Sequence, residues 1–174
     1  MNRMSLFLLA RFIHVVAGVA WAGALIFIGL YLLPAARATG QAGGAVMQQL
    51  VRVQRMPVYL MALMALTILS GLGLFWLDIS AFGMSWVHTG PGRTFSAGAV
   101  FGILTAIVGG AVNMPAANKL GALGASIQAG GKPPTPEQAA ELQRLQHRLH
   151  SAGLWITVLV FLAVTCMAVA RYVP

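Results

Sequence analysis

The chain has 174 residues, of which 59% are hydrophobic and 8% charged, where a soluble domain carries about 25% charged residues. With a mean hydropathy of +0.81, this composition excludes a soluble globular enzyme and marks an integral membrane protein seated in a lipid bilayer. The net charge of +8, from 11 basic and 3 acidic side chains, would suggest nucleic acid in a soluble protein. Here it reads as basic loops lying against anionic headgroups, with no nucleic-acid partner. The length suits one domain with no second soluble one. The single cysteine, Cys166, excludes an intramolecular disulfide and a cysteine zinc cluster.

Met1 to Arg11 reads as the interfacial start of the first helix, with Arg3 and Arg11 reaching headgroups. It has the marks of neither a cleaved signal nor a transit peptide. The first span, residues 12–33, is as long as the run of about 20 apolar residues that crosses a bilayer. Pro34 marks its exit. The span carries His14, and an ionisable residue inside such a run signals a functional site. Ala35 to Gly44 predicts a turn. Val46, Leu50 and Val53 recur at helical spacing and predict an amphipathic helix over 45–56. Pro57 kinks it or begins the second span, 58–77. Ser70, Gly71 and Gly73 in that span are small enough for close helix approach.

Asp78 to Thr94 predicts a loop, with Trp76, Phe82 and Trp86 at headgroup level. Asp78 reads there as a lone surface carboxylate. In the third span, 95–115, Gly98, Gly102, Ala106 and Gly110 fall every four residues and form a small-residue packing stripe. Lys119 to Pro134 predicts a flexible connection. Thr135-Pro136-Glu137-Gln138 predicts a capped helix start, and nothing interrupts the helix before Tyr172. About 36 residues at about 1.5 Å each reach about 54 Å, against about 30 Å of hydrocarbon. Residues 136–150 therefore project beyond the bilayer, and the fourth span is 151–171. The two extensions, 45–56 and 136–150, are expected to pack together.

The expected fold is all-α, an integral membrane four-helix bundle. Seven basic residues (Arg37, Arg52, Arg55, Lys119, Lys132, Arg144 and Arg148) fall on one face, and four (Arg3, Arg11, Arg93 and Arg171) on the other. The positive-inside rule then puts both termini on the outer side and both amphipathic extensions in the cytoplasm.

This topology sorts the histidines into pairs at opposite faces, His14 with His88 and His147 with His150. Axial imidazoles hold haem iron between helices, so His14 and His88 are the expected ligands of a b-type haem. Gly18, one turn from His14, leaves space for a planar macrocycle; Trp21 lies on the same face; Arg11 and Arg93 are placed to pair with propionates. The alternative is that His14 hydrogen-bonds a carbonyl or hydroxyl inside the bundle. A second constellation on the outer face, Met84, His88 and Cys166, has the soft ligands that suit cuprous copper. His147 and His150 share a helical face, but Arg144 and Arg148 beside them favour a solvated basic surface. There is no Walker loop, no nucleophile elbow and no pair of carboxylates placed for acid–base chemistry.

His14, then Trp21 seven residues on, then Gly23, with Leu33-Pro34 at the helix exit, resembles the first helix of two bacterial membrane families. One is the CopD-like copper-resistance group with its unassigned relatives; the other is the HemJ-type protoporphyrinogen oxidase. Trp86-x-His88 also resembles the second of these. The segment after His88, Thr89-Gly90-Pro91-Gly92, departs from the lysine-containing segment of HemJ-type chains. The resemblance implies a multi-pass protein of the bacterial inner membrane, with His14 as haem ligand. The expected function is haem-based electron transfer or porphyrin-linked redox chemistry. Copper binding or transport, and a non-catalytic accessory role, are the alternatives. Expected partners are the bilayer, a redox or accessory membrane protein, or a second copy of the chain.

Overall fold

The computed structural model of the protein describes residues 2–174. Backbone amides cannot be satisfied by lipid, so apolar runs of this length fold as helices that satisfy their own. Four helices are long and apolar enough to cross a membrane: α1 (Arg3–Ala38), α3 (Met56–Phe82), α4 (Gly90–Gly130) and α5 (Pro136–Tyr172). A short α2 (Gln41–Gln48) stands between the first two and runs into a wide π-type turn, Gln49–Val53. There is no strand among the described residues. The chain is an all-α helical bundle of the multi-pass membrane kind.

Several element boundaries differ from those expected. The first helix begins at Arg3 rather than near Phe12, because Asn2 caps it: its Oδ1 accepts from the Ser5 amide at 2.7 Å. Arg3 and Arg11 are tolerated in the helix because long cationic side chains can reach outward from an apolar stem. The expected loop at 78–94 is mostly helix: α3 runs to Phe82, a short 3₁₀ turn covers Met84–His88, and α4 starts at Gly90. Thr89 caps that start, its Oγ1 accepting from the Gly92 amide. Pro57 lies in the first turn of α3, and the chain reverses just before it at Arg55, in the left-handed region at φ 51°.

The largest correction concerns the connection expected to be flexible at 119–134. Helix α4 continues through it to Gly130 and stops at Gly131, whose φ of 60° suits a residue without Cβ. Glycine costs a helix about 1 kcal/mol relative to alanine, and packing offsets that cost here. Ala116 and Leu120 of α4 lie against Leu145 and Leu149 of α5. The early turns of α5 thus pack on the continuation of α4. The two extensions do not pack together: α2 folds back on the end of α1, where Gly43 abuts the Ala36 carbonyl.

The start of α5 is as its sequence indicates. The Gln138 amide donates to Thr135 Oγ1 at 3.3 Å, and the Thr135 amide donates to Gln138 Oε1 at 3.0 Å. Thr135→Ala should cost about 1 kcal/mol. Amide exchange should then accelerate in the first turn of α5 and nowhere else.

The helices pair antiparallel, α1 on α3 and α4 on α5, with only a thin seam between α3 and α4. Toward its far half α1 leans on α5: Gly29 lies beneath Thr157, and the Arg37 guanidinium donates to the Gln146 carbonyl at 2.9 Å. Ala17, Trp21 and Leu63 form a buried cluster that Ala106 of α4 joins from the other pair. Both chain ends and the Met84–His88 turn lie at one end of the bundle. The Arg3 guanidinium donates to the Leu77 carbonyl at 2.9 Å, and residues 173–174 rest on Gly90. Large apolar side chains such as Val19, Leu69 and Phe161 point outward, as a lipid-facing surface requires.

Candidate functional site

His14 is 11 residues along α1 from Arg3, about 16 Å at the helical rise. It therefore lies deep in the helix rather than near its first turn. Its Nδ1 is 2.8 Å from the carbonyl oxygen of Thr67 in α3. A carbonyl only accepts, so Nδ1 carries a proton, and in the neutral imidazole it is Nε2 that holds the lone pair. The Thr67 oxygen also takes a bond from Ser70 Oγ at 3.2 Å. Beneath the ring is Gly71: a Cβ there would stand 2.8 Å from Cε1 and 3.0 Å from Nδ1 of His14. The missing side chain of Gly71 is the seat of the imidazole.

Two parts of this site leave little trace in the sequence. The Thr67 acceptor is backbone and leaves no mark in a side-chain pattern. Gly71 was legible only as one of three small residues suited to close packing, and the antiparallel register α1–α3 is what assigns it to His14. The site matches the alternative in which His14 bonds a carbonyl, and it leaves one nitrogen over. Nε2 has no hydrogen-bond partner among the described residues, and it is not fully buried. Among the described residues the one fully buried side-chain nitrogen or oxygen without a partner is Asn113 Oδ1.

Gly18 and Trp21 are placed otherwise than a macrocycle slot would need. A Cβ on Gly18 would lie 3.5 Å from Thr67 Cγ2, so the space is taken by α3. Trp21 is buried against Ala17 and Leu63. The imidazole of His14 fits an axial-ligand role through Nε2, whereas the Gly18–Trp21 face is occupied by helix packing.

The structure does not bring His88 to His14. His88 is exposed on the turn beyond the end of α3. The Gly71 level is 11 residues back along that helix, about 16 Å. Met84 is exposed on the same turn. Cys166 lies between α4 and α5, where a Cβ on Gly98 would meet its Cβ at 3.1 Å. Gly98 is eight residues into α4, about 12 Å from the turn, so Met84, His88 and Cys166 are not assembled into one site. No group of three His, Cys, Asp or Glu side chains among the described residues could hold a metal ion.

Charge gathers at the terminal end. Asp78, which the sequence placed in a loop, is a half-buried residue of α3 within Coulombic reach of Arg171 and Arg11. Three helices thus contribute to one cluster. Arg11 is half-buried, Arg93 exposed. His147 and His150 are exposed on the early turns of α5. No family model, no curated protein and no solved structure matches this chain.

Proposed function

We propose that the protein binds b-type haem through Nε2 of His14 and serves electron transfer or a porphyrin-linked oxidation in a bacterial inner membrane. The observation that carries this reading is the 2.8 Å bond from His14 Nδ1 to the Thr67 carbonyl. A histidine that ligates a metal ordinarily donates its other ring N–H to a carbonyl or carboxylate, which fixes the tautomer and orients the ring. With His88 remote, His14 is the one protein ligand in this reading, and Arg11, three residues before it, is the nearest candidate for a propionate. Haem supplies the redox-active iron; the chain supplies the imidazole and its orientation. By the positive-inside rule, both termini face outward, and α2 and the early turns of α5 face the cytoplasm.

The purified protein should show a Soret band, as isolated or after haem reconstitution, and His14→Ala should abolish it. Absence of the band from the wild-type protein in both states overturns haem binding, and full haem retention by His14→Ala overturns the ligand assignment.

The same bond favours a second reading, an accessory membrane protein in which His14 serves to hold α1 on α3. Purification without haem but with a stoichiometric membrane-protein partner would support it.

A further inference from the structure

At the end of the bundle opposite the termini, α4 and α5 border a shallow slot of about 500 Å3, open on one side. Val108 and Val112 of α4 and Ala152 and Trp155 of α5 are its walls, and His147 and Arg148 stand at its mouth. On the α4 side the slot is lined from the π-type turn over Val108–Asn113, which carries both Val108 and Val112. Such a turn bends a helix locally and breaks even packing with a neighbour.

Depth divides the slot into two layers. Counting about 20 residues back along α5 from Arg171, for about 30 Å of hydrocarbon, puts Ser151 at the boundary. Ala152 and Trp155 then border acyl chains, while His147 and Arg148 reach the headgroups. Arg144 also lines the mouth, but its guanidinium is already held by Glu141, with contacts of 2.7 and 2.8 Å. That ion pair is the one formed among the described residues. Arg148 therefore has no carboxylate partner and remains available to an anion. A soluble anion would use the mouth and waste the apolar walls; an anionic amphiphile uses both.

We propose that this slot is a binding site for an anionic phospholipid. One acyl chain lies along Val108, Val112 and Trp155, and the headgroup phosphate sits on Arg148 with His147 beside it. The site is independent of His14 and of any haem.

The test is native mass spectrometry of the full chain released from a non-ionic detergent and titrated with phosphatidylglycerol or phosphatidylcholine. Phosphatidylglycerol should be retained in preference. Arg148→Gln should weaken its retention about fivefold, the factor given by about 1 kcal/mol per basic side chain near an anionic surface. Arg52→Gln removes the same charge from the turn after α2, outside the slot, and should leave retention unchanged. Ala152→Phe should reduce phosphatidylglycerol binding by filling the slot; Val112→Phe makes the same test if the first variant loses its monodisperse gel-filtration profile. Equal retention of the two lipids overturns the proposal. So does an equal loss in Arg148→Gln and Arg52→Gln, which would mean diffuse surface charge. Displacement of the lipid by millimolar inorganic phosphate also overturns it, because a plain anion site would then suffice.

Discussion

Gly71→Leu should unseat His14 and loosen α1 from α3, at a cost of about 3 kcal/mol, the sum of overpacking and a lost interhelical hydrogen bond. A single Cβ at this position already meets the imidazole at 2.8 Å, and a leucine adds three more carbons to the same space. The ring cannot retreat and keep its 2.8 Å bond to the Thr67 carbonyl. Once displaced, its N–H faces hydrocarbon, where an unpaired donor is costly. Unfolding in mixed micelles with increasing SDS reads the effect as an earlier midpoint. Gly71→Ala should show a smaller loss, and that loss should nearly vanish in a His14→Ala background. This coupling between neighbours identifies the contact. If Gly71→Ala costs the same with and without His14, Gly71 is not the seat of the ring. The prediction holds with or without a cofactor, and so separates the packing role of His14 from its ligand role.

What the sequence reveals here follows from what a bilayer demands. Apolar runs around Val19, Leu69, Val100 and Phe161 had to become helices, and Thr135 with Gln138 had to start one, because both patterns have a single physical solution. Helix ends were less legible. Arg3 and Arg11 look like a stop to a hydropathy reading, yet an arginine stem can extend a helix into the headgroups. The glycines at 121 and 124 look like a loop, yet Leu145 and Leu149 supply the apolar surface that keeps α4 helical beyond Lys119. The candidate site was half legible: His14 was conspicuous as a polar residue in an apolar run. Its partner was not, since Thr67 contributes a main-chain oxygen. Helical spacing puts Gly18 and Trp21 near the face of His14, but Thr67 of α3 stands over Gly18 and Trp21 is buried against Ala17 and Leu63.

Leu145→Ala should open the α4–α5 extension while sparing the spans. Leu145 is 2% exposed, packed with Ala116 and Leu149, in turns that the length of α5 carries beyond the hydrocarbon. There the full hydrophobic effect operates, and replacing a buried leucine by alanine costs about 2–5 kcal/mol, transfer plus cavity. Val160 is equally buried, but it lies within the span. Unpacking it exchanges one hydrocarbon neighbour for another, so Val160→Ala forfeits only contact energy. Amide exchange distinguishes the two. Leu145→Ala should speed exchange over residues 116–130 and 137–150 by at least tenfold, with residues 156–169 unchanged. Val160→Ala should leave the extension as protected as before. Uniform acceleration along the whole chain in Leu145→Ala would mean that extension and spans unfold as one unit, and no acceleration would mean that the helix pair is not held by this core. Because His147 and Arg148 ride on the same turns as Leu145, this variant should also lose the preference for phosphatidylglycerol. Gly71→Leu, which acts on the α1–α3 seam, should keep it.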